Sequence, residues 1–402
     1  MNHYPALNFS IFRISIGLYL TIHFITVFHY SPDIWSHQGT LAHAELNFTW
    51  GHFPNILNSF DSPPQIQIFI MGLTILSILL TLGWQRPCLS ILLWYGWACL
   101  FHRNNFISNP GLPMVGWLLL ALAVIPKGEP WSWREKHNPH WKMPKLLFYG
   151  AWGIIGLSYT LSGIDKLSSQ SWIDGTAIIH LLNNPLARDT LLRELLLSLP
   201  SFIHQGMTWS VLALEIMFGP LCLFSRTRKW AWIAIIMMHI GILSTVQFAD
   251  LTFGVLMFHL FTMEPTWFQK HRQHPLIVFY DGTCGFCQSS VQFIMDLDPN
   301  AQINFSPLQG ARAQNQIPSE ILQKLDSIVV LDGEHLSTKS DAILHIGKRL
   351  GGWGVFIQIG YVFPRVFRNQ LYDLIAKHRY LIMGKSEQCR IPSEKDLKRF
   401  IP

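Results

Sequence analysis

The stretch Tyr280-Asp281-Gly282-Thr283-Cys284-Gly285-Phe286-Cys287 decides how the chain is read. An apolar run, Leu276 to Tyr280, leads into it, and Val291, Phe293, Ile294 and Leu297 give the following segment an apolar helical face. A strand, a glycine-containing turn and a Cys-x-x-Cys pair at the head of a helix make up the layout of a thiol–disulfide site. Cys284 falls at the helix N-terminus, where unpaired N–H groups and the helix dipole stabilise a thiolate. Cys287, one turn on, shares its face and is within reach for a disulfide. Cys284 is expected nearer the solvent and attacking, with Cys287 resolving. A zinc site would need a second ligand pair. Downstream stand Cys389 and the scattered His335, His345 and His378, so no metal is expected.

The arrangement resembles a thioredoxin-like redox site, and three ordered motifs narrow the resemblance. Asp281-x-x-Cys284-x-x-Cys287, then Lys339-Ser340-Asp341-Ala342-Ile343-Leu344, then Tyr372-Asp373-Leu374-Ile375-Ala376-Lys377-His378-Arg379-Tyr380 are similar to the DCC-type thiol–disulfide oxidoreductases over about residues 275 to 402. The resemblance implies a small α/β thioredoxin-like domain with Cys284 and Cys287 as its catalytic pair. It implies as partner a client protein or small thiol, and no cofactor for the redox step. Asp281 is read in two ways, as a group assisting proton transfer to the thiol or as a cap of the turn. No proline stands just before the run Ser327 to Leu331, where a thioredoxin carries its cis-proline.

Around these motifs the pattern alternates. Strand-like runs are Leu276–Tyr280, Ile303–Pro307 and Ile328–Leu331, and helical patterns are Cys287–Leu297, Ser319–Lys324, Asp341–Leu350 and Asn369–Leu381. That order predicts a βαβ-type domain over 276–402, preceded by a polar linker over 265–275.

Upstream the composition changes. The 402-residue chain is 50% hydrophobic and 13% charged, and these averages hide a soluble-like end and a far more apolar remainder. Apolar runs recur at about 8–29, 66–83, 88–101, 112–126, 146–164, 206–224, 230–248 and 251–264. They predict an α-helical polytopic membrane bundle of about eight spans over 1–264, with the lipid bilayer as partner. The basic pI of about 9.0 reflects membrane-surface loops, and no Lys/Arg run or stacking motif points to nucleic acid. With eight spans, most loop Lys and Arg fall on the side of the C-terminus. This places both termini in the cytoplasm, with the protein in a bacterial inner membrane.

A second constellation lies in this part: Ser162-Gly163-Ile164-Asp165-Lys166-Leu167, followed by Trp172 and Gly175. An ionisable pair at a span end is costly unless it reaches water or is used, and a Lys there commonly snorkels to the interface. The stretch is similar to the transmembrane region of vitamin K-dependent γ-glutamyl carboxylases and of the wider HTTM group, supported by Glu215 and by His239-Ile240-Gly241. That resemblance implies a vitamin K-like quinone pocket built from Lys166, Glu215 and His239, with Lys166 as a catalytic base. The carboxylases follow two Asn with His, whereas Asn104-Asn105 is followed here by Phe106. Glu215 has Arg13, His239 and Lys166 as candidate partners.

Overall fold

The computed structural model describes residues 4–138, 140–247, 249–264, 267, 275–298, 301–324, 328–351, 354–383 and 397–401. The chain divides into a helical unit, His3–Met263, and a second unit over Glu264–Pro402. The expected linker lies largely outside the described residues, and Cys389 wholly so.

In the helical unit each apolar run folds as a helix: α1 (Ala6–Val27), α2 (Pro63–Leu82), α3 (Arg86–Arg103), α4 (Gly111–Val124), α5 (Lys145–Lys166), α6 (Ser201–Leu223), α7 (Ser225–Thr245) and α8 (Ala249–Thr262). Among the described residues, four of these, α1, α2, α5 and α6, are long and apolar enough to cross a membrane. This corrects the expectation of about eight spans. The 14-residue helices α4 and α8 reach ~21 Å at 1.5 Å per residue, short of a hydrocarbon core of ~30 Å. Helix α3 carries Arg86 and Arg103 at its ends, both buried, and α7 opens on Arg226, Arg228 and Lys229.

Helices α5 and α6 pack closely, and their sequence shows why. Pro220 inside α6 has no N–H, which frees the carbonyl of Ile216 one turn earlier. Thr160 of α5 donates its hydroxyl to that carbonyl at 3.1 Å and accepts the Gly219 N–H at 3.1 Å. A neighbouring helix thus restores the backbone pairing that proline removes, as an apolar medium requires. Gly163 permits the approach: a Cβ there would lie 2.7 Å from the Ile216 nitrogen.

The second unit holds a four-stranded mixed sheet of order β2-β1-β3-β4, from β1 (Leu276–Tyr280), β2 (Ile303–Pro307), β3 (Val329–Asp332) and β4 (His335–Thr338). β1 runs parallel to β2, with Val278 opposite Phe305, and antiparallel to β3, with Val278 opposite Val330. Helix α9 (Gly285–Leu297) makes the β1-to-β2 crossover, and α10 (Ala311–Gln316) and α11 (Ser319–Lys324) follow β2. Helices α12 (Lys339–Leu350) and α13 (Arg365–Met383) follow β4.

All five residues of β1 are buried because both sheet faces are covered, which is why it reads as a continuous apolar run. Leu276, Val278 and Tyr280 pack with Val291, Ile294, Ile346 and Leu350 on one face. Ile277 and Phe279 pack with Leu308, Ala313 and Ile317 on the other. The expected βαβ order is present. β4 is absent from the sequence pattern, since His335-Leu336-Ser337-Thr338 has one apolar residue; it forms by pairing with β3 through a two-residue turn that opens on Gly333 at φ +66°.

Candidate redox site

The site forms where β1 ends and α9 begins. Cys284 is the residue before the helix, in extended conformation, and its Sγ accepts the Cys287 N–H at 3.3 Å. A sulfur in the N-cap position thereby takes up one of the helix's unpaired donors. The two sulfurs are not bonded to each other in this structure. The expected exposure is reversed: Cys284 is 0% exposed, while Cys287 is half-buried and borders a cavity. The extended backbone at Cys284 directs its sulfur back over the first helical turn. Burial, and then the neighbouring Cys284 sulfur, push the Cys287 thiol above its ordinary value, while the Arg379 guanidinium acts the other way.

Asp281 is 4% exposed and saturated with donors. Its Oδ1 accepts the Thr283 N–H at 3.0 Å, the Thr283 hydroxyl at 2.8 Å and the Gln309 amide at 3.0 Å. Its Oδ2 accepts the Tyr380 hydroxyl at 2.6 Å and the Arg379 guanidinium at 3.1 Å. Burial works to raise this carboxyl, and the bonds from Tyr380, Thr283 and Gln309 outweigh it and hold the group below its ordinary value. A carboxylate so engaged fixes the turn that presents Cys284, which is the capping reading of Asp281.

The three motifs meet through α13. Lys339 pairs with Asp373 at 2.8 Å, Ser340 bonds Asn369 at 2.5 Å and Asp341 pairs with Arg368 at 2.9 Å. Tyr372 accepts the Ile328 N–H at 2.8 Å. These contacts hold α13 against α12 and the sheet, and so deliver Arg379 and Tyr380 to Asp281. Sequence reasoning names neither as a site residue, although both stand inside the third motif. Gln309 carries no signal at all.

Residues 278–385 match the DCC1-like thiol-disulfide oxidoreductase family. The chain belongs to that family. The uncharacterized protein YuxK of Bacillus subtilis is 34% identical over 129 residues, which cover 93% of that protein and 31% of this chain. A chloroplastic DCC family protein of Arabidopsis thaliana is 28% identical over 134 residues, covering 76% of that protein and 32% of this chain. No solved structure matches the chain. The DCC1-like match lies within the second unit, so the helical unit is described by its own geometry.

There, Lys166 Nζ lies 2.7 Å from Glu215 Oε2 and 2.7 Å from Ser162 Oγ, with its charge over the Trp172 ring at 5.3 Å. Of Glu215's three candidate partners the structure selects Lys166. Arg13 instead shares Glu129 with Arg86. His239 joins a different set: its Nε2 and that of His259 lie 2.5 and 2.9 Å from the Tyr159 hydroxyl. Lys166 and Glu215 come together, and His239 does not join them in hydrogen bonding. The three residues assigned to a quinone pocket are thus not joined in one hydrogen-bonded set.

Proposed function

We propose that the protein is a membrane-anchored thiol–disulfide oxidoreductase of the protein-disulfide reductase type. The observation that carries this reading is the Cys284 sulfur receiving the Cys287 N–H at the head of α9, beside a donor-saturated Asp281. In the reductive direction the Cys284 thiolate attacks one sulfur of a client disulfide and forms a mixed disulfide. The departing thiolate takes a proton. Cys287 then loses its proton and attacks Cys284, closing the internal disulfide and releasing the second client thiol. One client disulfide is reduced for each Cys284–Cys287 pair oxidised. Asp281, with Arg379 and Tyr380, is a positioning group for the turn.

The four long apolar helices support anchoring. The basic bias of loops such as 127–145 and 226–229 supports both termini on the cytoplasmic side, and we place the protein in a bacterial inner membrane. We read the helical unit as an HTTM-like anchor on the Ser162-to-Lys166 stretch, with the Lys166–Glu215 pair as its internal tie.

The test is single turnover. Reduced full-length protein in nanodiscs is mixed with a disulfide-bonded peptide, and free thiols are counted. The expected result is one client disulfide lost per protein, no reaction in Cys284→Ser, and a trapped mixed disulfide in Cys287→Ser. Undiminished reaction in Cys284→Ser would overturn the reading.

A further inference from the structure

The DCC1-like unit contains a cavity of about 250 Å³ bordered by Cys287. Its wall is made by α9, α12 and α13, chiefly by Phe286, Phe293, Ile343, Ile375 and Ala376. Phe293, Ile343 and Ile375 are each more than a third exposed, so the apolar lining continues to the surface. The charged residues on the wall are Asp281 and Arg379, and they pair with each other at 3.1 Å. Their charges offset, which leaves an apolar recess with a redox sulfur at its edge.

Ligand sites for drug-sized molecules span about 300–1,000 Å³, so this recess suits one bulky side chain and not a whole cofactor. Its position matters for the second half of the reaction. When Cys287 attacks the mixed disulfide on Cys284, the half of the substrate still attached lies beside Cys287. We infer that this cavity selects the substrate: a polypeptide disulfide carrying a bulky aliphatic or aromatic side chain next to its cysteine, which seats in the recess while sulfur exchange proceeds. The inference rests on the oxidoreductase reading above. Glutathione disulfide is disfavoured on the same grounds. Each of its halves carries two carboxylates and an ammonium, and charges brought against an apolar wall without partners lose hydration that nothing replaces.

The experiment uses reduced full-length protein in nanodiscs, with the rate of Cys284–Cys287 disulfide formation read by loss of alkylatable thiols. Three probes are compared: a short disulfide-linked peptide with phenylalanine beside its cysteine, the same peptide with serine there, and glutathione disulfide. The phenylalanine peptide is expected to react at least about ten-fold faster than the serine peptide, the discrimination a filled apolar pocket provides. Glutathione disulfide is expected to be slower still. Ala376→Trp, which fills the recess, should bring the phenylalanine-to-serine ratio close to one. Ile375→Gln, a change on a partly exposed helix face, should lower the same ratio. Equal rates for the two peptides, or a ratio unchanged in both variants, would overturn the inference while leaving the oxidoreductase reading in place. If none of the three probes oxidises the pair, the reading itself fails and the inference falls with it.

Discussion

Tyr380 donates a 2.6 Å hydrogen bond to Asp281, which lies 99 residues earlier in the chain. The bond ties α13 to the turn that presents Cys284. Replacing Tyr380 by Phe leaves the ring and removes one bond to a charged acceptor, so the loss should be about 1.5–3 kcal/mol. Hydrogen exchange of β1 and α9 in the full-length protein measures it. Because both residues act on one carboxylate, Tyr380→Phe and Asp281→Asn should be markedly non-additive. Additive losses would show that the two groups act independently.

The Cys287 thiol should be a poor nucleophile at neutral pH. With Cys284→Ser, the remaining Cys287 thiol still feels burial, the larger cause of its raised value. Its alkylation should therefore be slow at neutral pH and accelerate far into the alkaline range. Adding Arg379→Ala to the Cys284→Ser protein removes the cation that opposes the rise, so the Cys287 profile should move further toward alkaline pH. A shift toward acid would contradict the assignment.

Asp281 gives the unit a specific acid sensitivity. Its folded-state carboxyl lies below the ordinary aspartate value, so the folded state binds a proton less readily than the unfolded one. The stability this contributes is complete above the ordinary aspartate value and is lost as pH falls through the lower, folded value. Asp281→Asn should therefore be less stable than wild type at neutral pH, with the difference narrowing in strongly acidic solution. Unfolding followed at both pH extremes tests the sign.

Lys166 and Glu215 form a partly shielded pair, with side chains 24% and 8% exposed. Lys166→Met leaves the more buried Glu215 without its cation and should cost roughly 2 kcal/mol, between the values for surface and buried pairs. The double variant Lys166→Met/Glu215→Gln should recover part of that loss. Both proteins should still form the Cys284–Cys287 disulfide at the wild-type rate, because the pair serves the helical unit. Thermal unfolding in detergent, alongside the thiol assay, separates the two effects.

Thr160→Val keeps shape and removes the hydroxyl that satisfies the Ile216 carbonyl. With Pro220 fixed in α6, that carbonyl would be left without its partner, at a cost of about 1–3 kcal/mol. Adding Pro220→Ala to the Thr160→Val protein should rescue stability by supplying the missing N–H. If it does not, the Pro220–Thr160 account of the α5–α6 contact is wrong.

The redox unit is largely legible because its signals are local. The run Leu276–Tyr280 is buried on both faces, the Cys pair sits at a helix start, and Ser319–Lys324 folds over the same residues that the pattern marks. β4 escapes the pattern because a strand held by pairing needs few apolar residues of its own. Counting spans from apolar runs overshoots because apolar content alone does not fix length or charge placement: α4 and α8 are short, and α7 begins with three cations.

By itself the sequence determined the chemistry available here, two thiols one helical turn apart, and the order of strands and helices around them, because periodicity and helix-end preferences act over a few residues. Tertiary structure alone decided the environment of those thiols. It buried Cys284, set Cys287 on an apolar cavity, joined Tyr380 and Arg379 to Asp281, and chose Lys166 as the partner of Glu215. Each of these depends on contacts between residues far apart in the chain, which packing brings together and local pattern does not encode.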